Sequence, residues 1–116
     1  MTNPIRGSRN IALKVPAHQF DKTVESYRKL GLPVLDESDS SVVFEYGPIR
    51  LHVDRQRELS QAEVWLELVT DDLGAAAVST EAAGFERCDH IEDLGTYPGF
   101  WVSSPASIIH LVSIEE

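Results

Sequence analysis

Two histidines and one glutamate have the side-chain chemistry needed to bind a divalent metal ion: His52, Glu63 and His110. Two imidazoles and a carboxylate that converge from three strands can form a facial triad with open coordination positions for substrate oxygens. Such a metal would polarise a carbonyl group or an enediolate, or it would bind oxygen. The competing interpretation is that both histidines hydrogen-bond neighbouring acids and that no metal binds. A register shift of one residue in any of the three strands would separate the ligands.

Arg50 is a candidate for binding an acidic ligand. An inward-facing guanidinium group can hold a carboxylate or a phosphate through two parallel hydrogen bonds. The alternative is an ion pair with Glu63 or Glu67 across the sheet, because inward-facing charges are normally paired. If the protein is an enzyme, Glu67 is the candidate acid or base that moves a proton.

Two tryptophans offer flat apolar surface for an aromatic or planar ligand, and both Trp65 and Trp101 are predicted to line the ligand site. Trp101 has an alternative place in the core, because Phe100 precedes it and only one of two adjacent strand residues can face the ligand. Tyr97 lies in a Gly-Thr-Tyr-Pro-Gly loop that is either a lid over the site or an ordinary hairpin turn.

The elements that must position these side chains follow the order strand, helix and three strands. Apolar residues alternate along residues 10–15, which predicts a half-buried strand. A helix is predicted over residues 18–30, with Gly31 at its C-terminal cap. Three further strands are predicted over residues 32–35, 41–46 and 49–54.

The same order repeats after a shift of 53 residues, which places Asn10 on Glu63 and Gly31 on Gly84. The second half is predicted to contain a strand at 63–68, a helix capped by Asp71 or Asp72, and strands at 85–91, 100–103 and 108–114. The two halves agree in strand phase, in helix length and in the position of the cap glycine, which indicates a true repeat. We therefore predict one domain over residues 1–116, built from modules at about 8–56 and about 61–115.

Alternation also predicts which side chains face away from the helices. If the alternate apolar residues of each strand pack under the helix of their module, the opposite face of each sheet lines a cavity. The residues predicted on that face are Asn10, Ala12, Lys14, Arg50, His52, Asp54, Glu63, Trp65, Glu67, Ile108, His110 and Val112.

Several stretches of this chain resemble the vicinal oxygen chelate superfamily of glyoxalase, bleomycin-resistance and extradiol dioxygenase proteins. The stretches are residues 10–15, the helix end from Ser26 through Arg28 to Leu32, residues 63–72, and Ile109-His110-Leu111. The resemblance implies an α+β fold of two βαβββ modules whose paired curved sheets surround a cavity. It also implies a homodimer as the usual way of completing that cavity.

Metal-dependent members of the superfamily take their ligands from four strands, and the matching positions here are Asn10, Arg50 (or His52 if the hairpin register slips by two), Glu63 and His110. This is a departure from the family pattern. The Asn10 amide is a weak ligand, and the Arg50 guanidinium cannot be a ligand because it stays charged.

The bulk composition excludes some partners. The net charge of −9 argues against nucleic acid, and no apolar run is long enough to span a bilayer. The first nine residues lack the apolar segment of a signal peptide, and the single cysteine gives neither a disulfide nor a thiolate cluster. Cys88 has an acidic neighbour, so a lowered thiol pKa is not expected. The expected location is the cytoplasm.

Two functions follow from these observations. The preferred one is a glyoxalase/bleomycin-resistance-type protein that binds a small organic molecule between the modules without a metal or other cofactor. The alternative is a divalent-metal-dependent lyase, isomerase or dioxygenase that uses His52, Glu63 and His110.

Overall fold

The computed structural model describes residues 5–114, which contain two helices and eight strands. The described residues divide into two compact units. We call Arg9–Trp65 the first unit, and residues 5–8 with 66–114 the second unit. The fold class is α+β, and each unit combines one helix with four strands, as the repeat predicts. The prediction of a single domain over residues 1–116 stays a prediction.

The first unit contains one helix and a mixed four-stranded arrangement in the order β2-β3-β4-β1. The two central pairings are parallel β1–β4, with Asn10 opposite Arg50, and antiparallel β3–β4. At the outer strand, the β2–β3 register shifts between Val34 and Asp36, which is a β-bulge. The bounds are β1 Ile5–Val15, α1 Ala17–Lys29, β2 Val34–Glu37, β3 Ser41–Tyr46 and β4 Ile49–Arg55.

Helix α1 forms and ends where its sequence pattern predicts. Phe20 and Val24 fall on one stripe of the helix and are buried, with Tyr27 packed beside them. Gly31 follows the helix with φ +88°, a left-handed conformation that favours glycine and ends the helix. The core under α1 comprises Val15, Phe20, Val24, Val42, Phe44, Leu51 and Val53, with Ile11, Leu13, Tyr27 and Leu32 at its edge.

The second unit has the strand order β5-β8-β7-β6, with parallel β5–β8 and antiparallel β7–β8. Helix α2 begins after Asp72, whose carboxylate accepts a hydrogen bond from the Ala75 N–H at 3.1 Å. Its core contains Ala76, Phe100, Val102 and Val112. The bounds are β5 Glu63–Thr70, α2 Leu73–Ala82, β6 Glu86–Arg87, β7 Gly99–Ser103 and β8 Ile109–Ile114.

The strand predicted over residues 85–91 is wrong beyond Arg87. The chain turns there into a single 3-10 turn, Asp89–Ile91, held by a bond from the Ile91 N–H to the Cys88 carbonyl. The Asp89 carboxylate accepts the Trp101 N–H at 2.9 Å, so a side chain takes the place of the strand backbone at this point. Between residues 5 and 114, no helix combines the length and the apolar character that crossing a membrane requires.

Candidate functional site

The first-unit sheet face opposite α1, which we call the polar face, carries the side chains that the alternation predicts. Ile11 and Leu13 pack against the α1 core, so the intervening residues of β1 point the other way. The parallel register places Asn10 beside Arg50, Ala12 beside His52, and Lys14 beside Asp54. The predicted strand phase is confirmed for this unit.

A buried ion pair lies on the polar face. The Lys14 side chain is only 8% exposed, and its Nζ lies 2.9 Å from Asp54 Oδ2. The second Asp54 oxygen accepts the Ser41 hydroxyl at 2.6 Å, and the same Lys14 Nζ lies 4.6 Å from the centre of the Trp65 ring. A buried ammonium group is tolerated because it has a carboxylate and an aromatic ring as partners. The sequence predicts the direction of Lys14 and Asp54 but not this cluster.

Next to this cluster lies a hydrogen-bonded pair with a small neighbour. His52 Nε2 and Asn10 Oδ1 are 3.0 Å apart, and because the amide oxygen can only accept, Nε2 carries the hydrogen in this arrangement. The register partners of His52 on the two adjacent strands are the small side chains Ala12 and Val43. His52 and Asn10 are both partly exposed, which keeps polar atoms accessible on this face.

Arg50 is the exposed cation of the polar face. Its antiparallel register partner on β3 is Glu45. Within residues 5–114, no ion pair or hydrogen bond of the Arg50 guanidinium group is present, so the alternative of an ion pair with Glu63 does not form within this unit. The guanidinium group can therefore present its donors to a ligand.

Trp65 does not offer the open flat surface that the sequence predicts for a planar ligand. It is 2% exposed, its Nε1 donates to Glu63 Oε1 at 3.0 Å, and Lys14 lies against its ring. The Trp65 ring is therefore an internal part of the polar face and not an open surface on which a planar ligand can stack.

The strand phase predicted for the end of the second half is wrong. Val112 packs in the core under α2, so His110, two residues earlier on β8, lies on that same face. The His110 ring contacts Phe85 edge-on at a centroid distance of 5.4 Å, and Phe85 also packs against this core. His110 Nδ1 lies 3.0 Å from the Ile108 carbonyl oxygen. The opposite face of β8 instead carries Leu111 and Ser113.

Glu67 and Trp101 lie on the second-unit face opposite α2, as predicted. Glu67 accepts hydrogen bonds from the hydroxyls of Ser8 and Ser113. Trp101 is adjacent to Phe100, which belongs to the α2 core, and the Trp101 Nε1 donates to the Glu92 carbonyl at 2.9 Å. Trp101 is also buried, so it anchors the start of the 92–98 loop.

The metal triad gains no support from these positions. Among residues 5–114, no group of three or more histidine, cysteine, aspartate or glutamate side chains could hold a metal ion. His52 is bonded to Asn10, Glu63 to Trp65, and His110 faces the α2 core. The triad therefore stays a prediction of the sequence, and no chemistry is derived from it.

Asp89, which accepts a hydrogen bond from the Trp101 N–H, and the neighbouring Cys88 both have shifted pKa values. Burial alone would raise the pKa of Asp89, but the hydrogen bond from the Trp101 N–H and the adjacent Arg87 guanidinium group together lower it below its ordinary value. The neighbouring Cys88 behaves as the sequence predicts, because burial and the Asp89 charge raise the pKa of its thiol. Cys88 is therefore a protonated, buried thiol at neutral pH.

We expect the stabilisation that Asp89 provides to depend on pH. A carboxylate whose folded pKa is lowered contributes stability above its unfolded pKa, about 3.9, and this contribution is lost as pH falls through the folded pKa. The difference in free energy of unfolding between the wild type and Asp89→Ala should therefore be largest near neutral pH and shrink below about pH 4. Urea unfolding across this pH range measures it. If the difference in free energy of unfolding stays constant with pH, the charge of Asp89 does not contribute to stability.

Comparisons with known proteins identify the fold. No protein-family model matches the sequence, and no curated protein matches it either. A Legionella pneumophila protein described as an NAD-dependent benzaldehyde dehydrogenase superposes with a TM-score of 0.68 at 13% identity, covering 92% of this chain and 98% of that one. Methylmalonyl-CoA epimerase from Mycobacterium tuberculosis superposes with a TM-score of 0.62 at 13% identity, covering 100% of this chain and 92% of that one. A hypothetical protein of Bacillus halodurans superposes with a TM-score of 0.66 at 10% identity, covering 98% of this chain and 96% of that one.

At these identities the likenesses establish the fold alone. The chain has the α+β fold of these solved proteins, which is the fold that the resemblance in the sequence implies. The resemblance seen in the sequence is thereby confirmed at the level of fold.

Proposed function

We propose that this protein is a glyoxalase/bleomycin-resistance-type protein that binds a small organic anion on the polar face of its first unit, without a metal. The observation that carries the proposal is Arg50, an exposed guanidinium group beside the hydrogen-bonded Asn10–His52 pair. A guanidinium group recognises a carboxylate or a phosphate through two parallel hydrogen bonds, which gives both strength and direction.

Two features support this position for the ligand. Ala12, the register partner of His52, has a small side chain, so a ligand held by Arg50 would extend across the parallel β1–β4 pair at this point. The Lys14–Asp54 pair lies further along the same face and is already satisfied, so it shapes the site without competing for the ligand charge. The polar face therefore offers one unpaired cation within residues 5–114, bordered by fixed hydrogen-bonding groups.

A panel of small aromatic and aliphatic carboxylates tests the proposal, with the corresponding primary amides as neutral counterparts. We expect thermal stabilisation by acids and not by amides. Arg50→Gln should weaken binding by about tenfold or more, since a hydrogen bond to a charged group contributes about 1.5–3 kcal/mol. Calorimetric titration of the best acid measures the change.

The matched control is Arg57→Gln, which removes an exposed arginine that belongs to the same unit but lies beyond the end of β4. Its affinity for the acid should equal that of the wild type. Equal binding by Arg50→Gln, equal stabilisation by acids and amides, or no stabilisation by any acid would each contradict the proposal.

The assembly and the location stay proposals that rest on the sequence. The superfamily resemblance supports a homodimer, and the charge of −9 and the single cysteine support a cytoplasmic protein that does not bind nucleic acid. No contact or charge pattern among the described residues favours the metal-dependent alternative over small-molecule binding.

A further inference from the structure

Glu45 lies next to Arg50 on the polar face. The antiparallel register of β3 and β4 makes the two residues direct partners. The neighbouring Phe44 packs in the core under α1, so the Glu45 side chain points to the opposite face, which is the face of Arg50. The β carbons of such partners are about 4.5–5.5 Å apart. A carboxylate and a guanidinium group therefore stand side by side on the proposed ligand-binding surface.

These two opposite charges do not form an ion pair with each other. Within residues 5–114, the Glu45 carboxylate takes part in no ion pair or side-chain hydrogen bond, and the same holds for the Arg50 guanidinium group. Both residues are exposed, and an exposed pair of this kind would contribute little to stability if it formed. A ligand that contacts both groups therefore replaces almost no existing interaction.

The sheet holds the backbone of both residues in place. The Glu45 N–H donates to the Pro33 carbonyl oxygen at 2.9 Å, and β3 pairs with β4 on its other side. Arg50 is paired with Glu45 on one side and with Asn10 of β1 on the other. The spacing of the two charged groups is thus set by strands and not by a loop, which is the more precise support for a binding site.

Two other carboxylates of the polar face are less suited to meet a ligand held by Arg50. Asp54 already lies 2.9 Å from the Lys14 ammonium group. Asp36 belongs to β2, which β3 separates from β4, and its carboxylate accepts the backbone N–H of the next residue. Glu45 is therefore the carboxylate that such a ligand meets first.

The Glu45 carboxylate discriminates among the acids that Arg50 can bind. A carboxylate placed on Arg50 comes close to Glu45, and like charges repel each other. A cationic group next to the ligand carboxylate replaces this repulsion with an attraction. An α-amino acid has this arrangement, because its ammonium and carboxylate groups are attached to the same carbon.

We propose that the ligand of the polar face is an α-amino acid, with its carboxylate on Arg50 and its ammonium group on Glu45. This assignment rests on the proposed function, since Arg50 must first hold the carboxylate. The side chain of the ligand extends past Ala12 across the β1–β4 pair. Glu45 is then the residue that selects amino acids from other carboxylates.

Three ligands with the same carbon skeleton test the proposal: L-phenylalanine, 3-phenylpropanoate without the ammonium group, and L-phenylalaninamide without the carboxylate. In calorimetric titrations of the full chain near neutral pH, L-phenylalanine should bind about two- to fivefold more tightly than 3-phenylpropanoate, as expected for one exposed charge pair. L-Phenylalaninamide should bind about tenfold or more weakly than L-phenylalanine, because it offers Arg50 no carboxylate.

The Glu45→Gln variant should affect the two acids differently. We expect L-phenylalanine to bind about two- to fivefold more weakly, and 3-phenylpropanoate to bind equally or slightly more tightly because a repulsion is removed. A general disturbance of the fold would weaken both ligands alike. The control is Glu58→Gln, which removes the same charge from an exposed position beyond the end of β4 and should leave both affinities unchanged.

Equal affinities of the two acids for the wild type, or equal effects of Glu45→Gln on both, would overturn the amino-acid assignment. If 3-phenylpropanoate still depends on Arg50 in that case, the proposed function survives without it. If neither acid binds, or if Arg50→Gln weakens neither, the proposed function and the amino-acid assignment both fail. The two failures are therefore distinguishable.

Discussion

The Asp54→Ala variant should unfold with a free energy about 3 kcal/mol below that of the wild type. The substitution removes the carboxylate that lies 2.9 Å from the Lys14 ammonium group, and the Lys14 side chain is only 8% exposed. Removing one partner of a buried pair costs about 3–5 kcal/mol, because the remaining charge stays desolvated. Asp54 is itself 21% exposed at its side chain, which places the expected value at the low end. Equilibrium unfolding in urea measures the difference.

An exposed pair on α1 provides the control for this prediction. Glu25 and Lys29 lie 3.2 Å apart at positions i and i+4, and their side chains are 63% and 74% exposed. Glu25→Ala should change the free energy of unfolding by less than about 0.5 kcal/mol. Adding Lys14→Met to Asp54→Ala should recover part of the loss, because no buried charge then remains. If Asp54→Ala costs no more than Glu25→Ala, the pair does not stabilise the fold.

Gly99→Ala is expected to destabilise the second unit by about 2–3 kcal/mol. A Cβ at this position would lie 2.7 Å from the Val112 carbonyl oxygen and 3.4 Å from a Leu111 methyl group. The oxygen belongs to the backbone of the adjacent strand β8, so the strand itself must move to relieve the contact. Overpacking of this kind costs about 1–3 kcal/mol, and a backbone contact belongs to the upper part of that range. Thermal or urea unfolding detects it.

Gly7→Ala is the matched control, because Gly7 is also a strand residue and a Cβ there meets nothing within 4 Å. Alanine should be neutral or slightly stabilising at this position, since it reduces the freedom of the unfolded chain. Equal effects of the two substitutions would show that β7 and β8 can separate without cost.

Alternation along the sequence is sufficient to predict which side chains lie on the polar face, but it does not predict which side chains of β8 face the core. In β4 the core residues Leu51 and Val53 alternate with polar ones, and in β1 Ile11 and Leu13 pack at the edge of the same core, so the phase is defined. In β8 apolar residues fall on both faces, with Val112 on the face of His110 and Ile109 and Leu111 on the other, so alternation does not show which face packs in the core. Packing of Val112 under α2 decides the phase, and the sequence alone does not reveal this contact.

The Lys14–Asp54 pair shows a second limit of sequence reasoning. Both side chains were predicted on one face, yet their contact depends on the parallel register of β1 with β4, which pairs Lys14 with Asp54. Register between distant strands is set by packing and turn geometry, and not by the pattern within either strand. The burial of Trp65 follows from the same contact and was missed for the same reason.

The outer strand β2 bears on how the protein behaves in concentrated solution. All four of its residues are exposed, including the apolar Val34 and Leu35, and such a strand can recruit the backbone of another chain. Two features oppose this here: the bulge between Val34 and Asp36 interrupts the regular ladder, and the strand ends in two adjacent carboxylates, Asp36 and Glu37. A second copy approaching this strand would meet an irregular backbone and like charges. The bulge and the carboxylates therefore protect the protein against fibrillar aggregation.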